Sequence, residues 1–318
     1  MGTFISVLCI ACACLSNKVE GTVSTLAASN MVEQATQNNL NFNHIMYEYG
    51  EKPSFLYDEL LEHDIDPDCT DDVTYEPHMD TSGKTSSDGI YNHNLEDVSS
   101  SQLKKWPYRG VVQLVCEYDS NKDGKADFSS YGTGALVGSN VLLTASHVVY
   151  SANYGWPLKT KVYVEADGTP VESTCVETCE VSAYNVGVNY RTGDASDDWA
   201  YCKLDSNVGD TYGYFEVMNH SMSIDTTSVR MVAYQGTTGK MTYASDKVRN
   251  TLTDYKFFHR IDALAGSSGA PIFYGNSNVI VGIHSGGIHS SSLDYNVACR
   301  ISSYIESWIL TAREDWAL

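Results

Sequence analysis

Three short stretches hold residue types suited to nucleophilic chemistry, and they occur in the order His, Asp, Ser. The first, Thr133–Tyr150 (TGALVGSNVLLTASHVVY), carries an apolar run into His147. Two strands joined at Gly138–Asn140 would deliver His147 at a strand end, where a tight turn fixes the ring as a general base must be fixed. The second is Asp197-Asp198-Trp199-Ala200-Tyr201. A carboxylate opening an apolar strand can sit beneath an imidazole, hold its tautomer and stabilise the imidazolium. Asp198 directly precedes the apolar run and is preferred to Asp197 and Asp194. The third is Gly266-Ser267-Ser268-Gly269-Ala270-Pro271. Small neighbours let the chain turn sharply around Ser268, and the amides of Gly266 and Ser268 can then face an oxyanion. Singly, each stretch also reads as a structural histidine, a solvated acidic turn or an ordinary loop. Together they point to acyl transfer by a serine nucleophile, for which no cofactor is required.

Positioning these groups falls to short apolar runs separated by turns. Strands are expected at Val111–Glu117, Gly132–Val137, Val141–Ala145, Lys161–Glu165, Trp199–Leu204, Val229–Tyr234, Pro271–Tyr274 and Val279–His284. Regular short strands with Gly, Asn and Asp between them indicate an all-β barrel or sandwich. Arg300–Thr311 instead places Ile301, Tyr304, Ile305, Trp308 and Ile309 on one helical face, so a C-terminal helix should pack on the β-body.

The 318 residues exceed what one compact catalytic unit needs, and 42% of them are hydrophobic. Net charge is −20 and uneven: residues 17–104 hold 17 Asp and Glu against 4 Lys and Arg. With no basic stripe anywhere, nucleic acid and anionic membranes are excluded as partners. Met1–Leu15 is apolar, too short to span a bilayer and followed by small residues, as in a secretory signal. The chain therefore divides into a signal at 1–16, an acidic pro-segment or extension at 17–104, and a catalytic unit at 105–318. Within the acidic segment, Pro53–Glu62 has the pattern of a short amphipathic helix. Cys9, Cys12 and Cys14 would leave with the signal. Cys69, Cys116, Cys175, Cys179, Cys202 and Cys299 remain for disulfides in an exported protein, and Cys175 and Cys179 (CVETC) could close a small loop.

The TASH, Asp-aromatic-Ala and G-x-S-G-x-P blocks resemble the chymotrypsin-like serine peptidases, particularly their glutamyl endopeptidase branch. Trp106-Pro107-Tyr108-Arg109 and Gly282-Ile283-His284-Ser285-Gly286-Gly287 add to the resemblance, which runs from about Trp106 to Trp308. It implies two six-stranded antiparallel barrels, about 105–195 and 196–318, with the site between them. It also implies a triad of His147, Asp198 and Ser268, acting on protein or peptide substrates, in a secreted enzyme expected to be monomeric and off the membrane once its signal is cleaved. His284 matches the family histidine that binds a substrate carboxylate, with Ser285 and Gly286 lining the same wall. The family hydroxyl five residues before the nucleophile is replaced by Ala263, however. Asp262, six residues before Ser268, matches the residue that attracts Arg or Lys in trypsin-like relatives. Cleavage after Glu or Asp, cleavage after Arg or Lys, broader specificity and a non-catalytic binding homologue all stay open at this point. In glutamyl relatives removal of a pro-segment can build the pocket, and maturation is expected within Asp80–Glu96, near Gly89-Ile90-Tyr91.

Two further patterns stand apart from the triad. Asp119, Asn121, Asp123 and Asp127 alternate around Gly124 in a turn that could hold a structural Ca²⁺, or could be only a polar turn. Asn219-His220-Ser221 is a glycosylation sequon.

Overall fold

The computed structural model describes residues 74–77, 80–81, 95–187, 189–192, 197–219, 227–236, 238–251, 255–289 and 294–316. The expected signal, the Pro53–Glu62 helix, Cys69, Gly89–Tyr91 and the last two sequon residues lie outside the described residues. Three short strands come first: β1 (Thr74–Pro77), β2 (Asp80–Thr81) and β3 (Glu96–Asp97). After β3, Ser99 caps α1 (Ser100–Leu103) through reciprocal bonds with Gln102, and the Leu103 side chain is buried. Val98 is buried as well. β3, Val98 and Leu103 thus pack with the sheets ahead of residue 105.

The first barrel is a closed ring. Its strands are β4 (Val111–Tyr118), β5 (Phe128–Leu136), β6 (Val141–Thr144), β7 (Lys159–Val164), β8 (Glu177–Val186) and β9 (Ala200–Leu204). Pairing runs β5-β4-β7-β8-β9-β6 and returns from β6 to β5, with β2 added outside on β5. Val111, Val112, Leu114 and Tyr118 of β4 are fully buried, because β4 is paired on both edges and its apolar side chains fill the barrel. Each such burial contributes about 1.5–3 kcal/mol. β9 belongs to this barrel, so the division between barrels falls after Leu204 and not at 195/196. Short helical turns interrupt the ring: α2 (Ser146–Val149) follows β6 and α3 (Val171–Thr174) follows β7. α4 (Val208–Tyr212) follows β9.

The second sheet comprises β10 (Glu216–Val217), β11 (Ser228–Gln235), β12 (Lys240–Lys247), β13 (Asn250–Thr251), β14 (Lys256–His259), β15 (Pro271–Tyr274), β16 (Val279–His289) and β17 (Asp294–Arg300). Its main order is β13-β14-β17-β16-β15-β11-β12-β3. β12 and β13 are separated only by Val248 and Arg249, so the chain corner there brings the far edge of the sheet round to β14. Val248 N–H donates to Thr227 on one side of that corner and Arg249 N–H to Phe258 on the other.

The last element, α5 (Ser303–Asp315), starts three residues later than its periodicity suggests, because the Ser302 side chain accepts from Ile305 N–H and fixes the first turn. Arg300 completes β17 instead. Ile305, Ile309 and Ala312 are buried with the first barrel's core. No described helix is long and apolar enough to cross a membrane.

Candidate active site

His147 and Asp198 meet because β6 and β9 are antiparallel neighbours. Thr144 lies opposite Ala200, so the residues just after β6 and just before β9 share one end of the barrel. Asp198 grips His147 twice: His147 N–H donates to Oδ1 at 2.9 Å, and the ring Nδ1 lies 2.7 Å from Oδ2. The Ser285 hydroxyl donates to the same Oδ2. Burial alone would raise the Asp198 carboxyl, but His147 and the Ser285 hydroxyl more than offset this and hold it below the usual carboxylate range. An ionised Asp198 keeps Nδ1 protonated, which leaves the Nε2 lone pair of His147 to accept a proton. That Nε2 is buried and has no hydrogen-bond partner among the described residues, so the bond from Ser268 is open. Such bonds commonly tighten only when substrate is bound.

Asp197 does a different job. Its carboxylate accepts from the Trp199 indole at 2.5 Å and from the Asn189 amide at 2.9 Å. Ser146 donates to Trp199 O at 2.6 Å, which ties the histidine turn to the Asp198 segment.

Ser268 sits in the turn before β15 and is fully buried. The flanking glycines are required by geometry. Gly269 has φ +83°, and a Cβ there would lie 2.1 Å from Thr144 Oγ1 and 2.2 Å from Thr133 O. Gly266 has φ +94°, and a Cβ there would lie 2.2 Å from Gly236 N. Thr133 of β5 fastens this turn to the first barrel. Its N–H donates to Ser268 O at 2.8 Å, its hydroxyl donates to Gly266 O at 2.8 Å, and that hydroxyl accepts from Tyr234 N–H at 2.9 Å. Gly269 N–H donates to His284 O at 2.8 Å, linking the turn to β16.

His284 is fully buried, with Nδ1 3.4 Å from Nε2 of His259, a residue that sequence reasoning did not single out. Ser285, expected to line the substrate wall, turns its hydroxyl to Asp198. Gly286 lies at a register shift where β16 passes Val297. Asp262 is buried, between Ile261 and Ala263 of an apolar cluster. Ala263 brings no hydroxyl to the pocket.

The polar turn at 119–127 joins β4 to β5 and is closed by its own amides. Asp119 accepts from Asp123 and Gly124 N–H, Asn121 from Asp123 N–H, Asp123 from Lys125 N–H, and Asp127 from Ser120 and Asn121. No group of three His, Cys, Asp or Glu able to hold a metal converges among the described residues. The described cysteines form no disulfide: Cys116, Cys179, Cys202 and Cys299 are buried thiols and Cys175 is half-buried. The loop expected between Cys175 and Cys179 is not closed. Cys179 points into the core from β8, whereas Cys175 Sγ lies 3.7 Å from Glu172 O at the end of α3.

Two β-bodies with a His–Asp pair on the first and a glycine-flanked serine on the second define a chymotrypsin-like serine peptidase fold, and residues 132–283 match the trypsin-like peptidase domain. The chain is 26% identical over 210 residues to a glutamyl endopeptidase of Bacillus licheniformis, covering 63% of this chain and 61% of that protein. It is 28% identical over 216 residues to an extracellular metalloprotease of Bacillus subtilis, covering 65% and 66%. It thus spans just under two thirds of the length of these relatives. Among solved structures, a Glu endopeptidase in complex with MPD superposes with a TM-score of 0.58 at 21% identity, over 71% of this chain and 99% of the other. The protease Anisep of Arthrobacter nicotinovorans superposes with a TM-score of 0.54 at 14% identity, over 65% and 96%. The chain thus has the chymotrypsin-like fold, and in sequence it is similar to a trypsin-like peptidase domain and to a glutamyl endopeptidase.

Proposed function

We propose that this protein is a secreted serine endopeptidase that cleaves after Glu or Asp. The observation that carries the chemistry is the double grip of Asp198 on His147, which leaves Nε2 as the ring's working nitrogen. Ser268 Oγ attacks the peptide carbonyl as His147 Nε2 takes its proton. The oxyanion is held by the amides of Gly266 and Ser268. His147 then returns the proton to the leaving amine, and water, activated by the same ring, releases the acyl group from Ser268. None of these steps calls on a metal or cofactor. Preference for an acidic residue rests on His284, buried beside the serine turn, and agrees with the glutamyl endopeptidase among the relatives. Export rests on the apolar Met1–Leu15 and agrees with the extracellular relative.

The chain is made as a zymogen in this reading. β1 pairs antiparallel with the end of β16, placing Pro77 opposite Gly286, and β2 pairs with β5, placing Asp80 opposite Tyr131. Both partner positions adjoin the site, through Ser285 and Thr133 respectively. His147 and Ser268 are only 2% and 0% exposed, as expected of a site kept closed before processing.

Mass-spectrometric mapping of cuts in a peptide library, with Ser268→Ala as control, tests the whole reading. Cuts after Glu or Asp that vanish in the control support it. Cuts after Arg or Lys would transfer the pocket to Asp262. A processed protein that neither cuts nor reacts with an organophosphonate would be a binding homologue instead.

A further inference from the structure

The register of the second sheet brings two histidines together. His259 of β14 lies opposite Asn296 of β17, and His284 of β16 lies opposite Ala298 on the other edge of the same strand. Asn296 and Ala298 are two residues apart, so all four side chains share one face of the sheet. Ala298 contributes only a methyl group there, and the two rings meet with Nε2 of His259 3.4 Å from Nδ1 of His284 and ring planes 64° apart. Both imidazoles are fully buried.

The protons in this pair are ordered by the backbone. Ile261 N–H donates to His259 Nδ1 at 3.3 Å, so that nitrogen carries a lone pair. A neutral His259 then holds its hydrogen on Nε2 and donates to Nδ1 of His284. His284 in turn must carry its hydrogen on Nε2. Asn296 supports the arrangement by donating from Nδ2 to Ile261 O at 2.7 Å, which anchors the residue whose N–H starts the relay.

We infer that His259 is a specificity-determining positioning residue: it locks His284 in the tautomer whose Nε2–H donates to the carboxylate of an acidic substrate side chain. This deepens the proposed preference for Glu or Asp and rests on it. Without His259, a neutral His284 populates both tautomers, and the wrong one turns a lone pair toward the carboxylate. A carboxylate also gains from this donor in a way that a neutral amide of the same shape does not.

The test compares peptides that differ only in Glu or Gln before the scissile bond, cleaved by the wild type, His259→Leu and His259→Gln. Loss of one hydrogen bond to a charged group predicts a fall of about 10- to 100-fold in the Glu-to-Gln ratio of kcat/KM for His259→Leu. His259→Gln, whose amide can donate to His284 Nδ1, should recover most of it. An unchanged ratio in His259→Leu would overturn the relay. A wild type indifferent to Glu would overturn the pocket reading instead. The relay is then judged on the intact wild-type chain by long-range ¹H–¹⁵N spectroscopy of its histidines. Hydrogen on Nε2 of both His259 and His284 is expected, and hydrogen on Nδ1 of His284 would refute the inference whatever the substrate.

Discussion

Replacing Thr133 with valine keeps the shape of the side chain and removes the oxygen that joins the serine turn to both barrels. The hydroxyl donates to Gly266 O at 2.8 Å and accepts from Tyr234 N–H at 2.9 Å, in a fully buried setting. Each bond contributes about 1 kcal/mol, and each backbone group left buried without a partner costs about 1–3 kcal/mol. Because the second figure largely contains the first, Thr133→Val should lose about 2–4 kcal/mol in all. For a domain of this size a loss of 1 kcal/mol lowers the melting temperature by about 2–4 °C, so a drop of roughly 5–15 °C is expected. Activity should suffer separately, since Gly266 carries one proposed oxyanion amide. A slackened donor predicts a fall in kcat of about tenfold, less than the ~10²–10³ lost when such a donor is deleted. The assay pairs thermal melting with kcat on a peptide substrate, each rate normalised by organophosphonate titration. Thr133→Ser keeps the oxygen and should stay close to wild type in both. If Thr133→Val melts with the wild type and turns over as fast, the hydroxyl is not a fastener and the account of the turn is wrong.

Gly269→Ala should fail more severely. Beyond the 2.1 Å clash with Thr144 Oγ1, its backbone at φ +83° costs about 1–3 kcal/mol, and the denaturation midpoint should report the sum. The lowered Asp198 carboxyl stabilises the fold fully above its ordinary value of 3.8, and that contribution is lost as pH falls below it. In Ser285→Ala one of the lowering interactions is gone, so melting curves taken across the acid range should start to drop at the same pH as in wild type but lose less stability in doing so. Burial pushes the Cys116 and Cys179 thiols up to about 12, which keeps them protonated and unreactive. Among the described cysteines, alkylation of the native protein should therefore reach only Cys175. The turn at 119–127 is held by its own amides, so calcium chelation should leave melting unchanged as well; a clear drop would show that the turn depends on bound ion.

The parts of the site that could be read from sequence are those built within one turn of chain. His147 closes an apolar strand, and Gly266 and Gly269 bracket Ser268; each block announces itself over a few residues. Strands with continuous apolar runs, such as β4 and β15, were equally legible. β8 was not, because much of it faces solvent and its residues Glu177–Val186 are largely polar. β12, β14 and β17 have too few apolar residues in sequence to stand out, and they owe their pairing to neighbours far along the chain. The same holds for site residues. Thr133 meets Gly266 across 133 positions, Ser285 meets Asp198 across 87, and His259 meets His284 across 25. Nothing local marks Thr133 or His259, or tells that Ser285 turns to Asp198, since what selects these contacts is the register of distant strands. Helix α5 was recognised from its period, but its start depended on one serine hydroxyl, which apolar spacing does not report.

Helix α5 follows the second barrel in the chain yet fastens to the first. Asn140 donates to Trp316 O at 2.7 Å, Arg313 donates to Val137 O and, at 2.7 Å, to Phe215 O, and Tyr304 and Trp308 lie against Trp199 and Tyr201. The loop between β5 and β6, the segment leading to β10 and the strand that begins beside Asp198 are thus secured by residues 303–316. A chain cut before Ser303 would carry His147, Asp198 and Ser268 and lack the clamp that holds their supports in register. Chain order therefore separates the proposed nucleophile and base from the helix that braces their supports, so the two can be parted by a single cut without touching either residue.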